Sequence, residues 1–195
     1  MRIPTPTLTY FRATLCALVL ASTATLAHAV DRRVPSQYPT IQAAVNACAS
    51  SGDRVLVANG TYTGVGNRDI DPGTKNLVIQ SESDNPAACI IDCQTLGRAF
   101  YIHELQTSAT VIRGFTICNG RTAYFGGGIH NYASRASIVN CIFRGNKAAK
   151  SSGALSTSGD VTNCTFTGNT AESLGGALEA YGSVITGCTF QQNTA

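Results

Sequence analysis

From residue 111 onward the chain sets short apolar runs between small and polar residues on a steady beat. Ile138-Val139-Asn140-Cys141-Ile142-Phe143-Arg144-Gly145-Asn146 is echoed by Val161-Thr162-Asn163-Cys164-Thr165-Phe166-Thr167-Gly168-Asn169 and again by Ile185-Thr186-Gly187-Cys188-Thr189-Phe190-Gln191-Gln192-Asn193. Cys141 and Cys164 are 23 positions apart, and Cys164 and Cys188 are 24 apart. A period in the twenties, filled with Val, Ile, Thr, Asn and Gly, predicts a solenoid of short strands whose stacked coils bury one continuous core.

The pattern within each unit specifies a bend. Val161 and Cys164 are three apart and Cys164 and Phe166 two apart, so a straight strand cannot turn all three side chains inward. A one-residue corner between them can. The third position of the unit reads Gly114, Asn140, Asn163 and Gly187 once Ile112-Arg113-Gly114-Phe115-Thr116-Ile117 is aligned as a fourth copy. Gly and Asn are the residues that accept a positive φ at such a corner. This alignment stacks Phe115 under Cys141 and Ile117 under Phe143.

A second signature precedes the first in each coil: Gly126-Gly127-Gly128-Ile129, Ser152-Gly153-Ala154-Leu155 and Gly175-Gly176-Ala177-Leu178. Small residues followed by one aliphatic predict a tight turn that feeds a strand with a single large inward side chain. Coils stacked about 4.8 Å apart would pair every backbone N–H with the neighbouring coil. The prediction is an all-β, right-handed, single-stranded parallel β-helix.

One segment reads differently. Thr40 precedes Ile41, Ala44, Val45 and Cys48, an i, i+3, i+4, i+7 face with a capping residue in front, and Ser50-Ser51-Gly52-Asp53 closes it. This is a short amphipathic helix, expected to cap the N-terminal end of the stack over a first strand at Arg54-Val55-Leu56-Val57.

Two resemblances follow from these residues. The alternation of Gly-Gly-Ala-Leu at 175 to 178 with Phe-x-x-Asn at Phe143 to Asn146, Phe166 to Asn169 and Phe190 to Asn193 resembles the repeats of chlamydial polymorphic outer membrane proteins. The stretch from Val34-Pro35-Ser36-Gln37-Tyr38-Pro39-Thr40-Ile41-Gln42-Ala43-Ala44 through Val57-Ala58-Asn59-Gly60-Thr61-Tyr62 resembles the N-terminal cap and first coil of pectin-lyase-like proteins. Together they imply a β-helix, but that fold hosts lyases, esterases, hydrolases and adhesins, so function must come from a site.

Residues 1–29 read as a cleaved export signal, with Arg2 and Arg12 flanking a polar start, an apolar run from Ala13 to Ala24, and Ala27-His28-Ala29 before the cut. The run is too short to span a bilayer. Residues 30–195 then form the β-helix domain. The rhythm predicts another Gly-Gly-Ala segment after Asn193-Thr194-Ala195, so the domain reads as C-terminally incomplete. Export implies a secreted or cell-surface protein, with the outer membrane as one destination.

Loss of the leader leaves 12 Lys+Arg against 11 Asp+Glu, a net charge of +1, which gives no footprint for nucleic acid. Seven cysteines remain, and an odd number leaves one unpaired. Cys89 and Cys93 could close a local loop. Cys141, Cys164 and Cys188 form a predicted inward column, read first as packing and second as a place for one interstrand disulfide.

Chemistry is sparse. The acids, among them Asp69, Asp71, Asp92, Glu104, Asp160 and Glu179, do not recur at coil period, so no stacked carboxylate site for calcium emerges. Asp92 reads as a turn residue. His103 and His130 lie about one coil apart and lack a third ligand. No metal or other cofactor is implied. Arg121, Tyr124, Lys147 and Lys150, placed in the turns after successive coils, are the candidates for a lateral binding face. The expectation is a non-catalytic scaffold or adhesin-like module that binds a glycan, a polysaccharide or a host or cell-surface protein through lateral loops. The alternative is a polysaccharide lyase or another carbohydrate-active enzyme.

Overall fold

The computed structural model describes residues 29–49 and 52–195. The expected leader, residues 1–29, lies outside the described residues but for Ala29. The rest winds through four sheets in which every strand pair is parallel, so the chain is a nearly all-β solenoid of stacked coils.

The largest sheet orders Asp31–Val34, Arg54–Val57, Val78–Ser81, Val111–Arg113, Ser137–Val139, Val161–Thr162 and Ile185–Thr186. A second runs from Gly60–Tyr62 through Cys89–Asp92, Thr116–Cys118, Ile142–Arg144 and Thr165–Thr167 to Thr189–Gln191. A third stacks Phe100–Tyr101, Ile129–Asn131, Leu155–Thr157 and Leu178–Ala180. The fourth holds Arg121–Thr122, Lys147–Ala148 and Thr170–Ala171.

Register follows the repeat. Phe143 pairs with Ile117 on one side and Phe166 on the other, and Phe166 pairs with Phe190. Ile129, Leu155 and Leu178 are likewise in line. The predicted corner is present: φ is 77° at Gly114, 49° at Asn140, 54° at Asn163 and 64° at Gly187. A second left-handed column follows the next strand, at Asn119, Gly145, Gly168 and Gln192. These bends turn consecutive strands onto different sheets while keeping their apolar side chains on the inside.

The core is a set of vertical columns. The rings of Phe143 and Phe166 stack at 4.8 Å with 3° between planes, and those of Phe166 and Phe190 at 4.9 Å with 5°. Asn146, Asn169 and Asn193 form a hydrogen-bonded ladder beside them. Gly127, Gly153 and Gly176 form a column where a Cβ would collide with the carbonyl oxygen of the coil above, which explains the small residues of the second signature.

At the N-terminal end, the helix spans Ile41–Ala47, and the Thr40 side chain accepts from the Ala43 N–H at 3.2 Å as a cap. Its buried face is Ile41, Ala44 and Val45, and it packs against Asp31–Val34 and Arg54–Val57. Arg54–Val57 is therefore the second strand. Asp31–Val34 precedes it as the edge, and the charges of its polar Asp31-Arg32-Arg33 sequence are paired: Asp31 Oδ1 accepts from Arg54 Nε at 2.8 Å, and Arg33 pairs with Glu82.

Candidate functional site

The third sheet carries an aromatic and cationic face. Within it inward and outward residues alternate, as strand geometry requires. Phe100, Ile129 and Leu155 go to the core, which leaves Tyr101, His130, Ser156 and Glu179 in register as an outward column. Residues at the flanks of the sheet extend this column sideways. His103 stacks on Tyr101 with ring centroids 4.3 Å apart, Tyr101 lies 5.4 Å from His130, and His130 lies 6.1 Å from Tyr132. Tyr132 meets Tyr181 edge-on at 5.3 Å.

Two contiguous cavities follow this face. The first, of about 530 Å³, is lined by Asp69, Arg98, Tyr101, Tyr124, Phe125 and His130. The second, of about 410 Å³, is lined by Phe125, His130, Tyr132, Ser156 and Tyr181. They share Phe125 and His130 and so make one groove. Its wall comes from the segment between Arg121–Thr122 and Ile129–Asn131, which throws Tyr124 and Phe125 outward before Gly126, at φ 64°, turns the chain back into the sheet.

Arg98 forms the polar end of the groove. Its guanidinium carbon sits 5.0 Å from the Tyr101 ring centroid, a cation–π distance, and Nη2 donates to Thr122 Oγ1 at 2.6 Å. Burial works against its charge, while Asp69 and Tyr101 favour it. Asp69 accepts the Arg98 backbone N–H at 3.1 Å through Oδ1, and glycine at position 97 makes room for that carboxylate, since a Cβ there would collide with it. Burial pushes His130 down to about 4, helped by the charges of Arg98 and His103, so the imidazole is neutral near pH 7. His130 Nδ1 is covered and has no hydrogen-bond partner among the described residues. At the other end, Glu179 accepts from Ser152 Oγ at 2.9 Å and pushes the Tyr181 phenol up to about 12.

The residues singled out from sequence divide. Tyr124 lines the first cavity, and Lys150 Nζ sits 5.3 Å from the Tyr124 ring centroid and 5.7 Å from that of Phe125. Arg121 and Lys147 lie on strands, not in turns: they pair across the fourth sheet, exposed, and Lys147 Nζ is 3.4 Å from Glu172 Oε1. Sequence reasoning missed Arg98, Tyr101, Phe125, His130, Tyr132 and Tyr181 as a group.

The cysteine column stacks as expected. Cys164 Sγ accepts from the Cys141 N–H at 3.4 Å, and Cys188 Sγ accepts from the Cys164 N–H at 3.5 Å. The seven described cysteines, Cys89 and Cys93 among them, are free thiols. Burial pushes Cys89 up to about 11 and Cys93 higher still, and Cys164 is raised by its bond with Cys141 and by burial. Such thiols are poor nucleophiles at neutral pH. Asp92 is the last residue of the strand Cys89–Asp92 and not a turn residue; its Oδ1 accepts from the Gln94 N–H in the turn that follows, at 2.9 Å. His103 lies between Asp71 and Glu104, at 3.4 Å and 3.2 Å. Among the described residues, no three His, Cys, Asp or Glu side chains gather to hold a metal ion, and no helix is long and apolar enough to cross a membrane.

Comparison with known families matches residues 163–181 to the Chlamydia polymorphic membrane protein repeat. The match covers most of one coil, from the Asn163 corner through the Asn169 rung and the Gly175-Gly176 turn to Tyr181 in the groove. No curated protein and no solved structure matches the chain. Repeat and solenoid together are those of a surface-type scaffold.

Proposed function

We propose that this chain is a secreted or surface-displayed β-helix module that binds a glycan along the groove of its third sheet and performs no chemistry of its own. One observation carries the reading: four rings, Tyr101 and His130 on the third sheet and Tyr132 and Tyr181 at its flank, follow one another in contact. Ring faces offered in series suit the apolar faces of successive sugar rings, and Ser156 and the tyrosine hydroxyls between them suit sugar hydroxyls. The export signal read at residues 1–29 and the surface repeat at 163–181 support display outside the cell.

A second reading has one observation in its favour. Asp69, Arg98 and His130 face one cavity, a set that a lyase acting on an acidic polysaccharide could use. One experiment decides between them. The purified chain is titrated with immobilised glycans, then incubated with polygalacturonate and calcium while ultraviolet absorbance is followed. Binding without new absorbance supports the module; absorbance that needs both protein and substrate establishes the lyase; neither result sinks the glycan reading.

A further inference from the structure

The groove is built unevenly in charge. Arg98 spends Nη2 on Thr122 Oγ1 and makes no ion pair with a carboxylate among the described residues. Lys150 stands over the Tyr124 and Phe125 rings that form the wall of the same cavity. Asp69 is the one acid in that lining, and its Oδ1 is already engaged by the Arg98 backbone N–H. A half-buried guanidinium whose charge Asp69 favours without bridging it, framed by aromatic rings, has free donors in a fork that fits a planar or tetrahedral oxyanion. The second cavity is different: Phe125, His130, Tyr132, Ser156 and Tyr181 offer ring faces and hydroxyls and no guanidinium or ammonium group.

Resting on the glycan-binding reading above, we propose that the first cavity takes a sugar ring carrying an oxyanion, a carboxylate or a sulfate ester, with Arg98 as the residue that selects it. The anionic group meets the Arg98 fork while the ring lies against the Tyr124 and Phe125 wall. The next sugar, uncharged, continues over His130 towards Tyr132 and Tyr181. Arg98 thus sets both the ligand class and the direction in which the chain of sugars enters.

The test is calorimetric titration of the full chain with three hexasaccharides: hyaluronan, which carries carboxylates; κ-carrageenan, which carries sulfates; and neutral maltohexaose. At least one acidic ligand is expected to bind roughly 10- to 100-fold more tightly than maltohexaose, the size of a charge-assisted hydrogen-bonded pair. The tighter of the two acids identifies the oxyanion. Arg98→Gln removes the difference, bringing the acidic ligand down to the level of maltohexaose, and Arg98→Lys, which keeps the charge without the fork, recovers part of it. Should Arg98→Gln fail to fold, the unsubstituted chain serves instead: rising salt weakens acidic binding and leaves neutral binding in place. Equal affinity for acidic and neutral ligands, or an equal loss of both in Arg98→Gln, overturns the assignment of Arg98 and leaves glycan binding standing. Failure of all three to bind overturns both.

Discussion

Asn146 Nδ2 donates to Asn169 Oδ1 at 2.9 Å across one coil, and the same oxygen accepts the Asn146 backbone N–H at 3.0 Å. Asn169 repeats the arrangement with Asn193, at 2.9 Å and 3.0 Å. Each amide also donates to the carbonyl of a preceding coil, Asn169 Nδ2 to Phe143 O at 3.0 Å. The side chain thereby satisfies backbone groups that the turn between the second and fourth sheets would leave unpaired inside the core.

Asn169→Ala strips its side-chain partner from the Asn146 N–H and the Phe143 carbonyl together, while the Asn146 side-chain amide keeps the Ile117 carbonyl at 3.0 Å. A loss of about 2 kcal/mol or more is expected, at roughly 1 to 3 kcal/mol for each buried polar group deprived of its partner. Urea denaturation followed by circular dichroism measures it; a midpoint unchanged from the parent contradicts a buried ladder.

The corner at Asn163 has a sharper signature. Its φ of 54° is open to Asn and Gly and strained for a β-branched residue. Asn163→Gly should change stability by less than about 0.5 kcal/mol, whereas Asn163→Val should cost about 1 to 2 kcal/mol. Equal midpoints for the two variants would place this residue in an ordinary strand.

Position along the phenylalanine column decides the cost of removing a ring. Phe166 is fully buried between two neighbours, and Phe190 is 48% exposed. Phe166→Ala should cost about 3 to 5 kcal/mol and Phe190→Ala well under half of that. Thermal melts of the two variants rank them directly.

His130 gives the protein an acid-sensitive limb. Its folded value, about 4, lies below the ordinary 6.5. Between those limits the unfolded chain takes up a proton that the folded chain refuses, so stability is complete above about pH 6.5, declines as pH falls towards 4, and loses nothing further from this group below that. His130→Gln should flatten this limb. Denaturation midpoints from pH 4 to pH 7 test it, and a slope that survives the substitution assigns the titration elsewhere.

The coils were legible because the same side chain must recur wherever the same column passes: Cys141, Cys164 and Cys188, or Phe143, Phe166 and Phe190, declare the period themselves. The Gly114, Asn140, Asn163 and Gly187 corner was legible for the same reason. The groove was not, since its residues point out of the core and no column constrains them to be alike: Tyr101, His130, Ser156 and Glu179 occupy one register with four chemistries. A period-two reading of Phe100-Tyr101 and of Ile129-His130-Asn131 would have exposed two members. Arg98 carries no such signal, because its role arises from the neighbour that stacks on it, Tyr101. The fourth sheet escaped notice because two-residue strands such as Lys147–Ala148 are too short and too polar to show alternation.

The stacking of like residues in parallel register underlies both the core and the groove, and nuclear Overhauser spectroscopy on a phenylalanine-labelled chain tests it most directly. Ring-proton cross-peaks are predicted between Phe143 and Phe166 and between Phe166 and Phe190, whose centroids lie 4.8 Å and 4.9 Å apart. A folded chain in which these rings show no mutual cross-peaks would contradict the account.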